Sequence, residues 1–170
     1  MRTLANIEAL LPELDHCIAG DLEDQDLDFK QWDHTSHDKA IRTVVQMGVC
    51  MANGGGGTVV FGVADRIQGR SKAILGVPPE IDVNLLKKAV YDQTDPKIMP
   101  VFEELAVPDG TGRLLLMQIY PGMPPLYRHR RPGHYPRQQR LYTLNRHPPT
   151  QDWRGNRRNR LHRRGGRPCG

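Results

Sequence analysis

Three carboxylates stand out for the chemistry they could do together. Glu23 and Asp28 lie in the acidic stretch Asp21-Leu22-Glu23-Asp24-Gln25-Asp26-Leu27-Asp28, and Asp65 follows a strongly apolar run. Carboxylate oxygens suit Mg²⁺ or Mn²⁺, which can activate water and stabilise the charge of a phosphodiester transition state. The competing reading of the same residues is a solvated acidic loop. Five cations are placed to meet phosphate: Lys30, Arg42 and the cluster Arg66, Arg70 and Lys72. Lys30, two residues from Asp28, reads equally as an exposed charge. Three clustered charges are few for strong phosphate affinity.

Other chemistry is less well supported. Gly54-Gly55-Gly56-Gly57 lacks the Gly-Lys-Ser/Thr of a phosphate-binding loop and precedes a strand. It reads as a tight helix-to-strand connection. His34 and His37, near Asp33 and Asp38, read as surface residues at a capped helix start. Cys50 reads as a small buried hydrophobe. Trp32 and Tyr127 could stack on bases, but packing is the default for both. Cys17, Cys50 and Cys169 are too few and too far apart for a disulfide framework or a zinc site.

The elements that must hold these residues follow from apolar periodicity. Leu4, Ile7, Leu10, Leu11, Leu14 and Ile18 predict a helix that Pro12 kinks or splits. Leu27, Phe29 and Gln31 share one face of a predicted strand, with Asp28 and Lys30 on the other. A second helix starts at Thr35 or Ser36 and ends at Asn53-Gly54, and Gly48 on its apolar side implies close approach to a neighbour. Thr58 to Val63 reads as a buried central strand and Ile74 to Val77 as a short partner. A third helix spans Asp82 to Gln93. Val101–Val107 and Arg113–Tyr120 form two strands about a turn at residues 108–112. The fold class is α/β, a mixed sheet flanked by helices.

Charge divides the chain. Residues 1–127 carry 11 Lys+Arg against 18 Asp+Glu, whereas residues 128–170 carry 13 Arg and one acid, Asp152. The net +5 therefore arises wholly from the last 43 residues. These contain no isoleucine, valine, alanine or methionine, and cannot bury enough apolar surface to offset chain entropy. They read as a disordered basic tail able to bind nucleic acid nonspecifically. No apolar run is long enough to span a membrane, and the acids at positions 8, 13 and 15 do not fit a signal peptide. A reducing cytoplasm is the expected location.

Four pieces occur in order: Glu23 with Leu27-Asp28-Phe29-Lys30; a helix ending Ala52-Asn53; Gly56-Gly57-Thr58-Val59-Val60-Phe61-Gly62-Val63-Ala64-Asp65; and Ile74-Leu75-Gly76-Val77. The set resembles the Schlafen AlbA-like domain over about residues 20–127, after an N-terminal helix at 1–19. Asp24 and Asp28 stand where the family has Ser and Glu. The resemblance implies a nucleic-acid-binding module, DNA more than RNA, at the N-terminus of a transcriptional regulator or helicase-like protein. As an alternative it implies a metal-dependent endoribonuclease with Glu23, Asp28 and Asp65 as both catalytic and metal-binding residues, using Mg²⁺ or Mn²⁺.

The family's closing Arg-x-Gly-Ser segment is absent as written. Permitted codons for His134 to His147, read one base later, give Thr-Ile-Arg-Gly-Ser-Asn-Asp-Cys-Ile-Pro-Leu-Thr-Gly, which looks like that segment. This predicts a frameshift near residues 128–134, so that 128–170 is out-of-frame translation of a truncated gene, or the whole a nonfunctional remnant. A lost closing strand would leave a sheet edge open to self-association.

Overall fold

The computed structural model describes residues 1–107, 112–121 and 128–129. The chain divides into two compact units, 1–135 and 136–170, and all described residues belong to the first.

Helix α1 spans Leu4–Leu10, with Thr3 capping the backbone N–H of Asn6 in a reciprocal capping box. Pro12 has no N–H to continue the α-ladder, and the chain tightens into a 3-10 helix at Leu11–Asp15. A second 3-10 turn, Ala19–Asp21, leads to strand β1, Leu27–Lys30. Leu27 and Phe29 are buried, while Asp28 and Lys30 occupy the other face. Helix α2, His37–Asn53, starts at Ser36, whose side chain accepts from the N–H of Lys39. It carries the chain across to β2, Gly57–Phe61, which pairs parallel with β1 (Asp28 opposite Val59).

At Gly62 the backbone takes φ +104°, and a Cβ there would lie 2.9 Å from the carbonyl carbon of Gly76. That crossing ends β2 before Val63. The expected strand Ile74–Val77 is consequently reduced to two single bridges, Val63 to Ile74 and Val77 to Arg113. A one-turn helix α3, Arg70–Ala73, precedes it and was not foreseen from periodicity. Helix α4, Val83–Gln93, is capped by Asp82. Strand β3, Thr94–Asp95, follows at once; then come β4, Val101–Ala106, β5, Arg113–Ile119, and β6, Arg128–His129.

The main sheet has the order β1-β2-β5-β4, with β5 antiparallel to both its neighbours. β6 pairs with β3 in a separate two-stranded ribbon. Residues 128 and 129, assigned from composition to the start of the tail, thus hold backbone pairing. Composition cannot register this, because a strand edge recruits main-chain groups whatever the side chains are. The remainder of the expected tail and the turn residues 108–111 lie outside the described residues.

β2 is buried along its whole length and β5 is buried from Leu114 onward, as continuous apolar runs require. One face packs Val59, Phe61, Leu115 and Met117 against α2 and α4. The other packs Phe29, Val60, Leu114 and Leu116 against α1 and the adjoining 3-10 helix. Gly48 admits α4: a Cβ there would meet Val90 Cγ1 at 3.4 Å. Among the described residues no helix is long and apolar enough to cross a membrane.

Candidate functional site

Strand alternation puts Asp28 and Lys30 on the same face of β1, the one turned toward α2. Lys30 Nζ donates to Asp28 Oδ1 at 2.6 Å and to the carbonyl oxygen of Phe29 at 3.1 Å. It also lies 3.9 Å from Glu23 Oε1. Glu23 reaches this place from the preceding loop, where the same Oε1 accepts from the N–H of Phe29 at 3.1 Å. The chain thus gathers two carboxylates and one ammonium at the edge of the sheet. Asp28 is 15 % exposed and Lys30 33 %.

Burial pushes the Glu23 carboxyl above its ordinary range, and a side-chain hydrogen bond with Asp28 pushes it further. The N–H of Phe29 and the charge of Lys30 act the other way. Asp28 Oδ2 is buried without a hydrogen-bond partner.

A depression of about 290 Å³ opens beside these residues, lined by Glu23, Asp28, Leu27, Met47, Cys50 and Met51 among others. Cys50 is exposed there, contrary to the expectation of a buried hydrophobe. It is two residues past the buried Gly48, which turns it roughly 200° around α2 to the outer face.

Asp65 stands apart. It follows β2 with its carboxylate half-exposed, 3.8 Å from Arg66 Nε, while its carbonyl oxygen accepts from the N–H of Gly20. Among the described residues no group of three His, Cys, Asp or Glu side chains is spaced to hold a metal ion. As placed, Glu23, Asp28 and Asp65 do not fit a divalent cation. Two of the three come together, and an ammonium already occupies the space between them.

The expected cations separate into two kinds. Lys30 is held inward by the acids. Arg66 is 88 % exposed, and Arg42 and Lys72 are exposed as well. Arg42 leans back along α2 to donate to the carbonyl oxygen of Asp38. Arg70 is half-buried, and its backbone N–H donates to Asp15 Oδ1 at 3.0 Å. The loop bearing these residues is fixed to the 3-10 helix by Gly69, whose N–H donates to the carbonyl oxygen of Leu14, and by Gln68, whose amide donates to the carbonyl oxygens of Asp15 and His16. Arg66 on this loop and Lys72 in α3 directly after it are therefore presented on an anchored segment.

The glycine run is a connection. The N–H of Gly54 closes α2 onto the carbonyl oxygens of Cys50 and Met51, and Gly55 and Gly56 take φ +97° and +91°. A Cβ on Gly56 would lie 2.8 Å from the carbonyl oxygen of Ile119. Trp32 is buried edge-on to Phe61, ring centroids 6.2 Å apart, and is core rather than a stacking platform. His34 and His37 are exposed at the start of α2, where Asp33 accepts from the N–H groups of Thr35 and Ser36. Tyr127 lies outside the described residues.

A sequence profile of the family described as Schlafen, AlbA_2 matches residues 23–142. The chain belongs to that family. The match begins at Glu23, takes in the acidic cluster, the glycine connection and the loop of Arg66, and runs past Tyr127 to residue 142. No curated protein matches the chain. In this Schlafen AlbA_2 chain sequence reasoning missed the inward role of Lys30. The signal for it was present in the i, i+2 spacing from Asp28 on one strand.

Proposed function

We propose that the chain is a nucleic-acid-binding module, with duplex DNA as its ligand. Family membership over residues 23–142 carries this reading. The exposed side chains of Arg66 and Lys72 on the anchored segment that runs into α3 support it, with Arg42 as a further phosphate contact. Residues 1–127 are net acidic, so phosphate attraction must come from a local patch rather than from the whole surface. Such a module fits the N-terminal part of a transcriptional regulator or helicase-like protein working in the cytoplasm.

The test is fluorescence anisotropy of the full chain with duplex DNA and with RNA of the same sequence, across a salt series. Each lost phosphate contact lowers the salt slope by about 0.9 on B-DNA. Arg66→Glu with Lys72→Glu is expected to weaken DNA binding at least tenfold at about 0.1 M salt, with a slope lower by roughly 2. Unchanged affinity would sink the segment of Arg66 and Lys72 as the contact.

The endoribonuclease reading requires Asp65 to join Glu23 and Asp28, which it does not do here. Mn²⁺-dependent RNA cleavage abolished by Asp65→Ala would reinstate it. The family match through residue 142 favours in-frame translation past residue 128. The nucleotide sequence from the codon of Leu126 onward decides whether the frame changes near residues 128–134, together with the truncated and remnant readings. Self-association through an open edge of the main sheet is read from the dependence of sedimentation on concentration.

A further inference from the structure

Lys30 stands between Glu23 and Asp28. Lys30 Nζ sits 2.6 Å from Asp28 Oδ1 and 3.9 Å from Glu23 Oε1, and it is tied to the carbonyl oxygen of Phe29 at 3.1 Å. An ammonium has three donors. Two are used at hydrogen-bond distance, and the third is within reach of the second acid. Glu23 is fixed in its turn by the N–H of Phe29. The lysine therefore comes from the same strand as Asp28 and is held by the backbone between the two acids.

We infer that Lys30 is the resident counter-cation of the Glu23–Asp28 pair, and that it excludes divalent cations from these two carboxylates. A hard cation needs oxygen ligands at about 2.0–2.6 Å. An ion on Asp28 Oδ1 would lie within a few ångströms of the Lys30 ammonium on that atom, and the repulsion between the two charges opposes its binding. Ion and ammonium compete for one place, and the ammonium has the advantage of being covalently attached. The inference concerns this chain's own residues and stands whether or not the module binds DNA.

The experiment is uptake of Mn²⁺ by the full chain, followed by loss of the free-ion electron paramagnetic resonance signal. The variants are Lys30→Met, Asp28→Asn and the pair combined, each checked by thermal melting. The wild type is expected to show no site at Glu23–Asp28, so Asp28→Asn leaves its Mn²⁺ uptake unchanged. Lys30→Met is expected to gain one site, with affinity at least tenfold above the wild type. The combined variant is expected to lose that gain. Three results would overturn the inference: wild-type uptake that falls in Asp28→Asn, no gain in Lys30→Met, or a gain that survives in the combined variant. If Lys30→Met melts below the assay temperature, Lys30→Gln carries the same expectations. It keeps a hydrogen-bonding head and removes the charge.

Discussion

Replacing Lys30 by Met leaves the Glu23–Asp28 pair without its ammonium. Breaking a fully buried pair by removing one partner costs about 3–5 kcal/mol, and an exposed pair contributes about 0–1 kcal/mol. Asp28 is 15 % exposed and Lys30 33 %, with a contact of 2.6 Å, which places this pair between the two cases. The expected loss at pH 8 is about 1–3 kcal/mol. It should depend on pH with a definite sign. Glu23 titrates above its ordinary value near 4.5, chiefly because it is buried and then because of Asp28. Between that value and the raised one the folded chain holds more protons than the unfolded chain, so stability falls as pH rises through the window. Lys30 is one of the influences opposing the rise, and its removal makes the fall larger. Urea unfolding at pH 8 and pH 4 measures both effects. The midpoint should drop by roughly 1 M at pH 8 for a slope of about 1–3 kcal/mol per M, and by much less at pH 4. Adding Asp28→Asn should recover most of the loss. Equal midpoints for wild type and variant at pH 8, or a loss of the same size at both pH values, would refute this account of the cluster.

Gly62→Ala should be among the most damaging small substitutions. The left-handed backbone costs about 1–3 kcal/mol and the clash with Gly76 and Leu114 a similar amount, so a loss of about 2–5 kcal/mol is expected in urea unfolding. Gly48→Leu should cost about 1–3 kcal/mol by forcing α2 and α4 apart at Val90, and calorimetry would show it as a lowered Tm. Asp33 is held below the usual carboxylate range, first by the Thr35 hydroxyl and then by the Thr35 N–H. Its contribution is present above its ordinary value of 3.8 and is lost as pH falls through the lowered value. Asp33→Ala should therefore lower stability at pH 7 and converge with the wild type in strong acid.

Much of this fold was legible because the deciding forces are local. The continuous run Thr58–Phe61 and the alternation at Leu27–Lys30 mark a central strand and an edge strand, since burial on two faces or one dictates those patterns. Ser36 and Gly54 bound α2 through their own capping chemistry, and Pro12 ends α1 by lacking a donor. The ordered motifs from Glu23 to Val77 were enough to indicate the family. What sequence could not supply came from contacts distant along the chain. Gly62 crossing Gly76 cut short two expected strands. The 94–95 and 128–129 pairing joins segments with no apolar signature, because main-chain hydrogen bonds carry it. The candidate site divides in the same way. The residue types of Glu23, Asp28, Lys30 and Asp65 were plain, but which charges meet depends on where a loop and a strand end come to rest in three dimensions. The folded chain brings Lys30 to the two acids of β1 and its loop, and leaves Asp65 with Arg66 beyond β2.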